Sequence, residues 1–180
     1  MNNQATIRVP GPAHVDPVAA RQALRTVAST VYVVATRDRD AGFFATTATA
    51  VSSVCLDPPT LAVCLNRNGA IAERLREGTL FSVSALTRDQ IGIARECAGG
   101  IPHHAREKHF EPAAATGAPV VAGAQAAFVC RCSDTIVRGT HLMVFGSIVD
   151  VVSRQSIEPL LYLDAQYGGF SATTISETDR

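Results

Sequence analysis

The segment FFATTATAVSSVCLDPPTLAVCLNRN, residues 43–68, combines strong strand and turn signals. Its first half is rich in threonine, alanine, valine and serine, and its β-branched members suit an extended strand. Asp57-Pro58-Pro59 ends that strand sharply, because proline has no amide hydrogen to donate to a neighbouring strand. The apolar run TLAVCLN, residues 60–66, follows at once. The segment therefore predicts two β-strands separated by a tight turn.

More strands are predicted on both sides of this segment. The runs VYVVAT (31–36) and TLFSVSAL (79–86) are rich in apolar and β-branched residues. Two long runs, residues 124–137 and 141–152, are joined by the short turn RGT, and PLLYLD (159–164) adds another strand. Many strands joined by short turns predict a mainly β fold, an antiparallel barrel with flanking helices.

Three helices are predicted from their capping residues. Asp16 with Pro17 at the first helical position starts one, and Asn68 starts another that Gly78 ends. Thr87 and Gln90 form a capping box for a third helix over residues 88–98. If residues 68–78 form a helix, its N-terminus offers free amides at which a phosphate could bind.

The length of 180 residues fits one domain, predicted over residues 16–172. Residues 1–15 and 173–180 are predicted to be tails, and residues 101–118 an irregular loop with three histidines and two prolines. The 16 basic residues equal the 16 acidic ones, so nucleic acid and anionic membrane are not expected partners. No apolar run is long enough to span a bilayer, no signal peptide is evident, and five cysteines make no complete disulfide set. These features predict a cytoplasmic protein.

Several catalytic classes lack their motifs in this sequence. It contains no G-x-S-x-G nucleophile elbow, no P-loop and no G-x-G-x-x-G dinucleotide fingerprint. His103, His104, His109 and Cys97 match no metal-site spacing, so we predict no metal site and interpret the histidines as ordinary loop residues. Cys130 and Cys132 are interpreted as core residues on one face of a strand.

The threonine and alanine run leaves two interpretations open. Compact side chains and accessible backbone groups along residues 46–53 form a surface that a flat polar heterocycle can approach closely. The alternative is a threonine-rich strand whose β-branched residues simply suit a sheet.

Five sequence segments, each present once, follow one another along the chain in an order that points to a protein family. They are TTATAVSSVCLDPPTLAVCLNRN (46–68), LFSVSAL (80–86), KHF (108–110), GAPVVAGAQAAFVCRCSDTIVRGTHLMVFGSIVDV (117–151) and PLLYLDAQYGGF (159–170). Together they resemble the short-chain flavin reductase family, the reductase components of two-component flavin monooxygenases. Within that family, GTH at 139–141 and TATAV at 47–51 most resemble the reductase branch of oxidative pyrimidine degradation.

The resemblance implies a homodimeric, FMN-binding split β-barrel. It also implies an NAD(P)H-dependent flavin reductase, in which NADH or NADPH transfers hydride to FMN or FAD. The reduced flavin would then diffuse to a partner monooxygenase. Two other functions stay open: an FMN-retaining electron carrier or corrin reductase on the same barrel, and a non-catalytic module that binds flavin or haem.

The resemblance also assigns site residues. His141 is the candidate catalytic residue, and it lies with Tyr167 on the nicotinamide side. Gly69 stands where many members of the family have a serine or threonine that binds phosphate. The candidate flavin-binding residues are Thr46, Thr47, Ala48, Thr49, Ser52, Ser53, Cys64, Asn66, Asn68, Lys108 and Phe110.

Overall fold

A computed structural model describes residues 15–172. The predicted tails, residues 1–15 apart from Val15 and residues 173–180, lie outside the described residues. The helices are α1 (Pro17–Arg25), α2 (Ile91–Ala98) and α3 (His103–Arg106). The strands are β1 (Ser29–Thr30), β2 (Tyr32–Asp38), β3 (Gly42–Ala48), β4 (Val51–Leu56), β5 (Pro59–Asn66), β6 (Leu80–Ala85), β7 (Phe110–Pro112), β8 (Pro119–Val121), β9 (Ala126–Arg138), β10 (His141–Ser153), β11 (Leu160–Leu163) and β12 (Gln166–Gly169).

Seven strands form one large sheet in the order β3-β2-β6-β9-β10-β5-β4. Every adjacent pair in it is antiparallel, which confirms the prediction of a mainly β antiparallel fold with a few helices. The two outer strands, β3 and β4, are consecutive in the chain and are linked only by Thr49 and Ala50. The sheet must therefore curl, since a two-residue link can join its first and last strands only if they lie close together.

Smaller sheets flank this large one. One has the order β1-β11-β12, and the other pairs β7 with β8. The predicted strand 159–164 is confirmed as β11, whereas the sequence did not predict β1, β7, β8 or β12.

The predicted hairpin at RGT is confirmed. β9 and β10 pair along their length and are joined by Gly139-Thr140, where Gly139 has φ +57°, a conformation that suits glycine. Because β9 also pairs with β6, and β10 with β5, this hairpin occupies the centre of the large sheet.

The large sheet is packed on both faces. The inner core contains Val34, Phe44, Val63, Phe81 and Cys130 among others. The outer core lies between β2, β3 and α2, and it includes Val33, Phe43, Ala94 and Cys97. Both Cys130 and Cys132 are buried, as the sequence predicted. Burial raises the pKa of the Cys130 thiol to about 12, so it stays protonated at neutral pH.

Two of the three predicted helices are confirmed. α1 begins after Asp16, whose Oδ1 accepts a hydrogen bond from Val18 N at 3.1 Å. A 3₁₀ turn and α2 cover residues 88–98, and Gln90 Oε1 accepts from Thr87 N at 3.1 Å. Every residue of α1 is exposed or half-buried, so its apolar stripe packs against no core within residues 15–172. No described helix combines the length and apolar character that crossing a membrane requires.

The predicted helix over residues 68–78 is wrong. Only a three-residue 3₁₀ turn forms there, at Ala72–Arg74, and Leu75 already has extended backbone with ψ 98°. The side-chain oxygen of Asn66 accepts from Asn68 N at 3.0 Å, a bond that would also cap a helix. The backbone bonds that follow span three residues each, from Gly69 N to Asn66 O and from Ala72 N to Gly69 O, so the chain forms successive tight turns instead of the four-residue bonds of an α-helix.

The prediction of an irregular loop over residues 101–118 is also wrong. That segment contains α3, a 3₁₀ turn at Glu107–His109 and strand β7. Arg106 causes part of this order, because its buried guanidinium donates to the carbonyl of Ile101 from Nη2 at 2.7 Å and from Nε at 3.2 Å.

Candidate functional site

A cleft of about 310 Å³ lies where β3, β5 and β10 meet at one end of the large sheet. Its walls come from the end of β3 and the Thr49-Ala50 link, from the end of β5 and the following turn, and from the first residue of β10. None of the described residues that line it is Lys, Arg, Asp or Glu. The lining residues are Thr46, Thr47, Ala48, Thr49, Ala50, Cys64, Leu65, Asn66, Gly69, Ile71 and His141.

Strand β3 supplies one wall through its free edge. Among the described strands β3 pairs only with β2, so alternate residues direct both backbone polar groups away from that partner. Ala45 is such a residue, because its N–H and C=O bond to side chains outside the sheet. Thr47, two residues further on, therefore presents its own N–H and C=O at the cleft edge, where they can bond to the edge of a ligand ring.

The Thr47 side chain has a structural role of its own. Its hydroxyl donates to the carbonyl of Ala94 in α2 at 2.6 Å, which ties the cleft wall to the helix. Ala48 lies in the inner core on the opposite face of the strand. Thr49 and Ala50 then carry the chain to the facing wall, where Cys64 N donates to Ala50 O at 2.9 Å.

The floor of the cleft is the turn that follows β5. Asn66 pairs directly with His141 across the β5–β10 ladder, so these two side chains start from neighbouring positions. His141 is exposed, and its Nδ1 lies 3.0 Å from the hydroxyl of Thr140. Gly69 packs close to Asn66, since a Cβ on Gly69 would lie 3.1 Å from the Asn66 carbonyl oxygen.

This turn does not offer the phosphate site that the sequence predicted at the start of a helix. The amides of Arg67, Asn68 and Gly69 donate to Thr140 O, Asn66 Oδ1 and Asn66 O, at 3.0, 3.0 and 2.9 Å. These three donors are therefore occupied, and the 3₁₀ turn that follows is too short to build a helix dipole.

The structure gathers seven of the predicted site residues in this cleft and leaves the others outside it. Ser52 and Ser53 are exposed on β4, and Asn68 is exposed in the turn after β5. Ala50, Leu65 and Ile71 line the cleft without having been predicted. Ala50 follows the predicted wall directly in sequence, whereas only the 3₁₀ turn brings Ile71 there. The seven residues gathered are Thr46, Thr47, Ala48, Thr49, Cys64, Asn66 and His141.

Lys108 takes part in an ion-pair network away from the cleft. Its Nζ lies 3.1 Å from Glu96 Oε2, and His109 Nε2 lies 2.8 Å from the same oxygen. Hydrogen bonds from His109 and Lys108 lower the pKa of the Glu96 carboxyl. No group of three or more potential metal ligands occurs within residues 15–172.

Phe110 and Tyr167 both pack against the outer core. The rings of Phe110 and Phe43 meet edge to face, with centroids 4.8 Å apart. The Tyr167 ring lies 5.3 Å from that of Tyr162, and the Arg95 guanidinium lies 5.8 Å from the Tyr167 centroid. Within a single chain, neither of these two aromatic residues lines the cleft.

Comparison with known proteins identifies the family. The family described as "Flavin reductase like domain" matches residues 24–171, which is most of the chain. The chain belongs to the flavin reductase-like family. The resemblance noted in the sequence is thereby confirmed.

Relatives of this flavin reductase-like protein include enzymes and solved structures. It is 39% identical over 159 residues to FMN reductase (NADH) RutF 2 of Methylorubrum extorquens, covering 87% of this chain and 91% of the relative. It is 35% identical over 161 residues to the reductase component of the FADH(2)-dependent resorcinol hydroxylase of Rhizobium sp., covering 87% and 88%. Its fold matches BorF, the flavin reductase component of a bacterial two-component tryptophan halogenase, with TM-score 0.77 and 28% identity, covering 88% and 100%.

The cleft of this flavin reductase-like chain has the chemistry that an isoalloxazine ring requires. A flavin ring is flat, uncharged and edged with hydrogen-bond donors and acceptors. The cleft offers compact threonine and alanine side chains for close approach, free backbone groups at Thr47 and the amide of Asn66. The residues present therefore fit the ring, while the charged phosphate finds no cationic side chain among the described lining residues.

Proposed function

We propose that this protein is an NAD(P)H:flavin oxidoreductase that supplies reduced FMN or FAD to a partner monooxygenase. One observation carries the proposal: in a chain of this family, the free edge of β3 at Thr47 faces Asn66 and His141 across a single uncharged cleft. The names of its relatives, FMN reductase (NADH) and reductase component of a hydroxylase, support the same reaction and the same kind of partner.

The chemistry divides between the flavin and the chain. A flavin held in the cleft would supply the redox chemistry, with NADH or NADPH as the hydride donor. Thr46–Ala50 and Cys64 fix the plane of the ring by close contact, and the backbone groups of Thr47 orient its edge. His141 lies at the open side, where it can position the nicotinamide by hydrogen bonding and exclude water.

We also propose that the active form is a homodimer of split β-barrels, formed by the domain over residues 16–172 and located in the cytosol. Exposed apolar residues support a second copy, because an isolated chain leaves Val54 and Leu56 on β4, Leu24 on α1 and Val27 just after α1 open to solvent. Strand β4 also has one unpaired edge among the described strands. A second copy packed against β4 would remove these apolar side chains from water.

Steady-state turnover tests the proposed function directly. We expect the purified protein to oxidise NADH or NADPH when FMN, FAD or riboflavin is present in excess, with the rate rising with added flavin until it saturates. The absorbance loss at 340 nm measures this. If no flavin supports oxidation of either nucleotide, the reductase proposal is wrong. Turnover on a flavin that stays bound, with no need for added flavin, would instead indicate an electron carrier.

Replacing His141 tests whether this residue contacts the nicotinamide or the flavin. We expect His141→Ala to raise the KM for NADH roughly five-fold, the effect of one lost hydrogen bond, while the FMN dissociation constant changes less. Separate titrations of NADH in turnover and of FMN by fluorescence quenching measure the two effects. A larger change in FMN affinity than in the KM for NADH would place His141 on the flavin side.

A further inference from the structure

The edge of β3 that faces away from β2 has different surroundings at Ala45 and at Thr47. Both residues direct their backbone groups away from β2, and those of Thr47 open onto the cleft. At Ala45, α3 covers the edge with two side chains: the Ala45 amide donates to His103 Nδ1 at 3.2 Å, and the Ala45 carbonyl accepts from Arg106 Nη1. These two side chains replace the neighbouring strand that β3 lacks.

Arg106 is held firmly enough to serve as such a partner. It is 7% exposed, and its guanidinium also donates to the carbonyls of Cys97 and Ile101, at 3.2 Å and 2.7 Å. These bonds join α2, the segment before α3 and β3 through one side chain. A buried guanidinium with its donors bonded to several carbonyls has little freedom to move.

His103 is held between Arg106 and Phe44. Its ring centroid lies 5.1 Å from that of Phe44, and its Nδ1 lies 3.3 Å from Arg106 Nη1. Accepting from the Ala45 amide requires Nδ1 to carry no proton, so the ring is neutral with its hydrogen on Nε2.

We propose that His103 and Arg106 are positioning residues for the flavin cleft. By bonding both backbone groups of Ala45, they fix the edge of β3 immediately before Thr46 and Thr47, and so set the position of the wall that contacts the flavin. This proposal rests on the proposed function, because it assumes that the cleft binds flavin.

The surroundings of His103 make this contact dependent on pH. Burial and the nearby Arg106 charge lower the pKa of His103 from its ordinary value, against the opposing effect of the Ala45 hydrogen bond. Arg106 is the charged group on its own helix, and β3 presents the Phe44 ring. On α2, the carbonyl of Cys97 accepts from the same Arg106 guanidinium. Burial raises the pKa of the Cys97 thiol to about 11, so this thiol is neutral.

The sign of the effect follows from the lowered pKa. Above the ordinary histidine value His103 is neutral and the bond to Ala45 is complete. As the pH falls through the lowered folded value, protonation of Nδ1 removes the acceptor and places a second positive charge beside Arg106. The edge of β3 should then loosen, and flavin affinity should fall in acid.

Two substitutions of His103 separate the acceptor from the aromatic ring. In His103→Asn the amide oxygen can take the place of Nδ1 and does not titrate, whereas His103→Phe keeps an aromatic ring and has no acceptor. At pH 7.5 we expect His103→Asn to bind FMN like the wild type, and His103→Phe to bind it roughly five-fold more weakly. FMN binding by fluorescence quenching of the oxidised flavin, without NADH, is the primary measurement.

The pH profile and a neighbouring residue provide the controls. The FMN dissociation constant of the wild type should rise once the pH falls below the ordinary histidine pKa and through the lowered one, and that of His103→Asn should stay flat over the same titration. His104 is exposed on the same helix, so His104→Ala should match the wild type throughout. If His103→Phe binds FMN like His104→Ala, or His103→Asn keeps the acid loss, the positioning role is wrong. If the wild type binds no flavin at any pH, the proposed function itself fails.

Discussion

Gly146→Ala should lower the free energy of unfolding by about 2 to 3 kcal/mol, the largest stability effect that we expect from a single methyl group in this protein. Gly146 is buried in β10, opposite Leu61 on β5 and Cys132 on β9. A Cβ there would lie 2.6 Å from Phe81 Cζ and 2.7 Å from Cys130 Cβ. Phe81 is fully buried and Cys130 belongs to the central strand β9, so neither can retreat cheaply.

Urea unfolding followed by circular dichroism measures this loss as a lower midpoint. Gly92→Ala is the matched control, because Gly92 is exposed in α2 and a Cβ there meets nothing within 4 Å. Alanine favours a helix over glycine, so this variant should be unchanged or more stable by up to about 1 kcal/mol. Equal midpoints for Gly146→Ala and the wild type would contradict the tight packing of β10 against Phe81.

Cys64→Trp should weaken flavin binding about 100-fold while the fold survives. On β5, Val63 and Leu65 belong to the inner core, whereas Cys64 is half-buried and lines the cleft. The cleft, at about 310 Å³, is near the lower limit for small-molecule sites. An indole would project into it where the ligand must sit, and a steric cost of about 3 kcal/mol corresponds to about a 100-fold weaker flavin affinity.

FMN titration by fluorescence quenching and NADH oxidation with added FMN measure this effect together. Cys64→Ser keeps the size of the side chain, so its affinity for FMN should stay within about three-fold of the wild type. The urea midpoint of Cys64→Trp should stay near the wild-type value, since the side chain is half exposed. A folded Cys64→Trp protein that still reduces FMN normally would place the flavin elsewhere.

Local sequence signals predicted most of the strands and two helices correctly. The capping residues Asp16 and Gln90 act within a few residues of their own position, and the RGT turn does the same for β9 and β10. The helix predicted over residues 68–78 was wrong for a related reason. Its apolar positions Ile71 and Leu75 do enter the core, but the backbone bonds of this segment span three residues each, so tight turns form in place of an α-helix. Apolar spacing alone does not distinguish a helix from two successive tight turns.

The structure brings seven of the predicted site residues together in one cleft and places the others elsewhere in the single chain. Residues 46–49, Cys64, Asn66 and His141 meet because β3, β5 and β10 end together. Lys108 pairs with Glu96, while Phe110 and Tyr167 pack against the outer core. No signal in the sequence placed His103 and Arg106 on the edge of β3, since that contact joins residues about 60 positions apart.

The sequence by itself determined the mainly antiparallel β fold, the family and the threonine-rich wall, because strand propensity, turn residues and motif order are local properties of the chain. Only the tertiary structure decided which edge of β3 stays open and what covers the rest of it. Ala45 and Thr47 lie two residues apart on β3, so both direct their backbone groups outward. Packing of α3 against Ala45 leaves Thr47 as the pair of free backbone groups at the cleft. A long-range contact, which no local pattern encodes, therefore sets the boundary of the candidate flavin site.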